Sequence, residues 1–151
     1  MARSEFEEAY DAQILGEEKE LRGAILRDAV RLLEPSEPVL VERQKSVREA
    51  VRRMNERHVG AVCVVDGSGR LIGIFSERDV LTRVVGEDLD PARTAVGEVM
   101  TANPETLSHD DGIAFALNRM SVRGFRTLPI VDAQKKPVAI VFTGHIVKFI
   151  V

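Results

Sequence analysis

The chain has 151 residues, a formal net charge of −3 and 44% hydrophobic residues, enough to bury about 68–70% of its unfolded surface without a disulfide or metal staple. Both signs of charge are mixed throughout, aromatics make up 5%, Trp is absent and Tyr10 is the sole Tyr, which speaks against the basic, aromatic-flanked stripe of a nucleic-acid binder. No apolar run reaches the ~18 residues of a membrane span, the N-terminus does not read as a signal peptide, and the lone Cys63 sits inside an apolar strand, as expected of a core residue in a cytoplasmic protein.

Residues 1–36 read as an N-terminal helical extension. Phe6, Tyr10 and Ile14 are spaced four apart, and Leu21, Ile25, Ala29, Leu32 and Leu33 continue at helical spacing. Gly16 and Gly23 weaken the middle, so one broken helix or two short ones are expected. Its role is either to cover an apolar edge of its own chain or to contact another chain. The Pro35 to Pro38 stretch ends it.

Residues 37–99 begin with a short strand at Val39 to Val41. Ser46 can cap a helix from Val47 to about Arg57, with Val47, Ala50, Val51 and Met54 on one face. Gly60 to Val65 suits a buried strand, Asp66 to Gly69 a turn, and Leu71 to Phe75 a returning strand. The S-E-R-D run at 76–79 then opens a helix in which Val80, Leu81, Val84 and Val85 are apolar. Its S-x-x-D spacing resembles a capping box, and the free amides of such a turn also suit an anion or a ribose. Asp88 to Ala95 is a polar linker.

Residues 100–151 repeat this order. A shift of 66 residues lays Val47, Ala50, Val51 and Met54 on Ile113, Ala116, Leu117 and Met120, and Val64-Val65-Asp66 on Ile130-Val131-Asp132, without a gap. Asp110 or Asp111 is expected to cap the helix. Pro129 in the middle strand implies a strand start, an edge or a bulge, since it donates no ladder bond. Ile146, Val147, Phe149 and Ile150 open a closing helix that stops abruptly at Val151, so the natural chain is expected to run on.

V-G-A-V-C-V-V-D at 59–66, G-I-F-S-E-R-D-V at 73–80, E-V-M-T at 98–101 and R-T-L-P-I-V-D at 126–132 together resemble a tandem pair of CBS domains, over roughly Pro38 to the C-terminus. The resemblance implies an α/β fold of two βαββα repeats about a pseudo-twofold axis, with sheets face to face and helices outside. It also implies a non-catalytic regulatory module that binds an adenosine-containing ligand (AMP, ADP, ATP, NAD(H) or S-adenosylmethionine, with AMP or ATP foremost) in a cleft between the repeats. In that reading Asp79 holds the ribose, with Ser76 beside it. Gly60 and Ala61 border the base, Val41 and Met100 wall it, and Arg78 and Arg126 meet phosphate, with Arg57 and His58 as weaker candidates.

At the second turn Phe142, Thr143, Gly144 and His145 replace Ser76, Glu77, Arg78 and Asp79, which predicts a degenerate site built on Thr143 and His145. The competing reading is a ligand-free scaffold for dimerisation or docking. Helices apolar over more than one face predict a homodimer, and a regulatory module implies an effector protein. No catalytic constellation appears, and His58, His109 and His145 lack metal-type spacing.

Overall fold

A computed structural model describes residues 5–150. The elements are α1 (Glu5–Arg27), a 3-10 turn (Val30–Leu33), β1 (Leu40–Glu42), α2 (Val47–Arg57), β2 (Ala61–Val65), β3 (Leu71–Ser76), α3 (Glu77–Asp79) running into a π-helix (Val80–Val85), α4 (Val96–Val99), β4 (Thr101–Ala102), α5 (Ile113–Arg123), β5 (Thr127–Val131), β6 (Pro137–Phe142) and α6 (Thr143–Ile150). Among the described residues, no helix is long and apolar enough to cross a membrane.

The first sheet has the order β1-β2-β3-β4, with β1 parallel to β2 and the other pairs antiparallel. Every β2 side chain is buried, because alternate residues serve two different layers. Val62 and Val64 join Val41, Val47, Ala50, Met54 and Phe75 under the helices of repeat one, whereas Ala61 and Cys63 meet Ile74 and Ile140 between the two sheets. Burial pushes the Cys63 thiol up to about 12, which fits a core residue rather than a reactive one.

The second sheet repeats the first. β5 and β6 form its hairpin, Leu107 bridges Ile130 in parallel, and Ser36 bridges Ile140. At the 66-residue offset these last two answer to Val41 on β1 and Ala102 on β4. The equivalence reaches further back: the 3-10 turn at Val30–Leu33 matches α4, and Val30 and Leu33 are buried in the core of repeat two. Val30 N–H donates to Asp111 C=O at 2.8 Å, as Val96 N–H donates to Lys45 C=O at 2.8 Å. Each repeat is thus completed by the segment that leads into the other.

Pro129 explains why the first strand of repeat two shrinks to a bridge. Cys63 N–H donates to Val39 C=O at 2.8 Å, and Pro129, its equivalent, has no N–H to give. β5 carries a register irregularity at Ile130/Val131, and β2 carries one at the equivalent Val64/Val65, so it belongs to the repeat and not to Pro129.

Three local expectations are corrected. α1 is one continuous helix, since two glycines at about 1 kcal/mol each do not break 23 residues of otherwise helical sequence. It lies against α5. Neither Asp110 nor Asp111 caps α5. Gly112 holds that position, Ile113 N–H is taken by Asp28 C=O at 2.9 Å, and Asp111 accepts from Ser108 N–H instead. The helix after Ser76 is an α-turn that widens into a π-helix, closed by Gly86 N–H on Leu81 C=O at 2.9 Å. Ser46 does cap α2, accepting from Glu49 N–H at 3.1 Å. The side chains of Phe6, Leu21, Ile25 and Ile150, and Val151 as a whole, lie outside the described residues.

Candidate functional site: two equivalent turns

The first turn joins β3 to α3. Ser76 ends the strand in extended conformation, and its hydroxyl faces the Asp79 amide at 3.4 Å while Asp79 reaches back, which makes the expected capping box. The two carboxylate oxygens of Asp79 have different tasks. Oδ2 accepts from Ser76 N–H at 2.9 Å and from Ser76 Oγ at 3.1 Å. Oδ1 accepts from Thr101 Oγ1 at 3.3 Å and faces Arg83 Nε at 3.5 Å. The residue is 7% exposed, so its charge is set among donors rather than in bulk water. Arg83 also donates from Nη1 to the Met100 carbonyl at 2.7 Å.

The surroundings follow from the sheet register. Ala61 pairs with Ser76, and Glu77 N–H donates to Gly60 C=O at 3.0 Å, so Gly60 and Ala61 border the turn. Met100 arrives on the segment before β4 and packs on Gly73. A Cβ on Gly73 would lie 2.3 Å from Met100 Sδ and 3.0 Å from Thr101 C=O, so only glycine lets this edge approach.

The second turn joins β6 to α6. Phe142 N–H donates to His145 Nδ1 at 2.8 Å, the same bond that Ser76 N–H makes with Asp79. Nδ1 must therefore be unprotonated. Nε2 then carries the proton and faces Ser36 Oγ at 3.0 Å. Burial, followed by the positive charge of Lys148, holds the His145 pKa below its usual value. His145 is the third residue of α6, and it closes the turn. Thr143 N–H and Oγ1 are directed at the Arg126 carbonyl at 3.2 and 3.3 Å.

The structure brings together Ser76, Asp79, Gly60, Ala61 and Met100 at the first turn. Arg78 is exposed there and, among the described residues, its guanidinium meets no carboxylate. Arg126 stands at the second turn with Thr143 and His145, in the place Gly60 takes at the first. Val41 is wholly buried in the core of repeat one and has no surface to offer a base. Sequence reasoning missed Thr101 and Arg83. Thr101 closes the E-V-M-T motif, and Arg83 lies four residues after Asp79, an ion-pair spacing readable from sequence. Among the described residues, no three His, Cys, Asp or Glu side chains are placed to share a metal ion.

The CBS domain family matches residues 30–86 and 96–151. The chain belongs to the CBS domain family. A CBS domain-containing protein of Arabidopsis thaliana is 39% identical over 103 residues, covering 68% of this chain and 19% of that protein. This chain therefore spans about a fifth of that relative's length. A CBS domain pair solved with 5′-methylthioadenosine and S-adenosylmethionine has a TM-score of 0.73 at 23% identity, covering 81% of this chain and 94% of the other. A CBS domain protein from Pyrobaculum aerophilum, solved with AMP, has a TM-score of 0.72 at 21% identity, covering 78% and 89%. At such identities the likeness is one of fold. Both matches to the family begin at a short helical turn, Val30 or Val96, and take in the segment that crosses to the other repeat.

Proposed function

We propose that this CBS pair is a non-catalytic regulatory module that binds an adenosine-containing ligand at the first turn, in the cleft between the repeats, and reports energy or metabolic state to an effector protein. One observation carries the reading: Asp79 commits Oδ2 to its own cap and leaves Oδ1 with only two long contacts, at 3.3 and 3.5 Å. A ribose diol brings two hydroxyl donors to that oxygen, each bond to a charged group being worth about 1.5–3 kcal/mol. Gly60, Ala61 and Met100 then flank the base, Ser76 adds its hydroxyl, and Arg78 is the cation for phosphate, since Arg126 stands at the second turn. The AMP complex and the 5′-methylthioadenosine and S-adenosylmethionine complex of the two neighbours support the ligand class. AMP and ATP head the candidates, ahead of ADP, NAD(H) and S-adenosylmethionine. A cytoplasmic location suits the buried, lone Cys63.

The test is titration calorimetry with AMP, ATP, NADH and S-adenosylmethionine, backed by thermal melts. A ligand at about 100 times its dissociation constant adds about 2.7 kcal/mol of stability. No heat and no shift with any of them at millimolar concentration would leave the ligand-free scaffold as the function.

A second observation favours self-association. Leu81 and Val85 on the π-helix are 66% and 60% exposed, and Val147 and Phe149 on α6 are exposed too. α1 does not shield them, and its own Tyr10 and Ile14 are exposed. We propose that these outer helices join two copies as a homodimer. Light scattering on the full chain checks this, and a monomer at every concentration would refute it.

A further inference from the structure

β4 has two residues, Thr101 and Ala102, paired only with Ile74 and Gly73. Beyond it Asn103 donates to Ile72 C=O at 3.2 Å and turns away with φ 49°. Leu107 then enters the second sheet, donating to Pro129 C=O and accepting from Val131 N–H, both at 2.9 Å. A short path of chain thus runs from the first turn straight into the core of repeat two.

Two side chains tie the start of that path to Asp79. Thr101, the first residue of β4, places its hydroxyl on Oδ1. Arg83 faces the same oxygen and, through Nη1, holds the carbonyl of Met100, the residue just before β4. A carboxylate oxygen offers about two acceptor sites, so these two contacts fill Oδ1. Any ligand that takes that oxygen with two hydroxyl donors must displace both.

We propose that Arg83 and Thr101 form a latch that an adenosine ligand opens, so that occupancy of the first turn loosens β4 and reaches repeat two through Leu107. The proposal rests on the ligand reading above. Release is cheap for Arg83, which is half-exposed and regains water, and which keeps the Met100 carbonyl. It is consequential for β4, because a two-residue edge strand has few other bonds to hold it. The latch is one-sided. At the second turn the bond is reversed: Ser36 Oγ accepts from His145 Nε2, and Nδ1 already accepts from Phe142 N–H, so the ring has no further acceptor for a ribose hydroxyl to take.

Hydrogen exchange of the full chain, read on peptides spanning residues 100–107, tests the latch alongside calorimetry. AMP, or S-adenosylmethionine in a parallel run, should speed exchange of this segment roughly tenfold while β2 stays protected. The double variant Arg83→Ala/Thr101→Ala should show the faster exchange without ligand and bind roughly 3- to 10-fold tighter, because the competitor for Oδ1 is gone. Thr101→Val, which keeps the shape of the side chain, should show a smaller shift in the same direction. Unchanged exchange in both variants without ligand would overturn the latch. So would a clear heat of binding with no change in the segment, and that outcome leaves the ligand reading standing. No heat with either ligand, in the wild type or the variants, would instead overturn both.

Discussion

The two turns do the same backbone task with different chemistry. At the first, Asp79 takes the Ser76 amide at 2.9 Å, and at the second His145 takes the Phe142 amide at 2.8 Å. Each side chain also meets a hydroxyl from the segment that crosses from the other repeat: Thr101 donates to Asp79 Oδ1, whereas Ser36 accepts from His145 Nε2. The difference is in what remains. A carboxylate that caps a turn still has a second acceptor oxygen. A neutral imidazole spends its one acceptor nitrogen on the cap, and its other nitrogen is a donor. The duplication therefore separates two properties that a single S-x-x-D motif leaves merged: closing the turn, which both copies keep, and offering a negative oxygen to a ligand, which only the first retains.

The comparison is broken most forcefully at the crossing segments. If Val30 to Ser36 belongs to repeat two as Val96 to Ala102 belongs to repeat one, Leu33→Ala should cost about 2–5 kcal/mol in a denaturant melt. Leu32→Ala, one residue away and exposed, should stay within about 0.5 kcal/mol. Equal effects would mean that the segment is only an extension. Next in size is the contrast at the turns. Asp79→Ala should weaken adenosine-ligand binding by about 1.5–3 kcal/mol, roughly 10- to 150-fold, whereas His145→Ala should leave the tightest binding event within about 0.5 kcal/mol. Binding that survives Asp79→Ala alongside a lowered melting temperature would reduce Asp79 to its cap.

Ser76→Ala tests the cap itself and should lower stability by about 0.5–2 kcal/mol. The last and smallest effect concerns pH. Folding holds the His145 pKa below its unfolded value, so the native state binds fewer protons in the window between the two. Stability from this site should be level above about pH 7, decline as pH falls below 6.5, and level again once the folded pKa is passed. His145→Gln should remove that step. A melting profile in which the wild type and His145→Gln run parallel from pH 7 to 5 would show that the cap does not depend on a neutral ring.

Much of the repeat is legible in the sequence. The α2 limits, the two hairpins and the capping box at Ser76 follow from spacing and from local hydrogen bonding, which reach only a few residues along the chain. Val30 to Ser36 was misread as part of a separate extension because its partners, Asp111 and Ile140, lie far away in sequence. For the same reason Asp110 and Asp111 looked like caps. The carbonyl that displaces them comes from Asp28, which helical spacing at the α5 end cannot reveal. Val41 was assigned to the cleft by the resemblance alone, and the sheet instead turns its side chain into the core of repeat one.

By itself the sequence determined that this chain is a duplicated α/β protein, that its first turn carries an acid and its second does not, and that Cys63 is core. Those facts depend on composition, period and local capping, all of which are written in consecutive residues. Only the tertiary structure decided that each repeat is finished by the other's leading segment, that Thr101 and Arg83 gather on one oxygen of Asp79, and that His145 replaces the carboxylate as a cap but supplies no second acceptor. Those facts depend on which backbone donors and acceptors are left unmet once the two sheets pack, and a buried polar group takes whichever partner the fold brings to it.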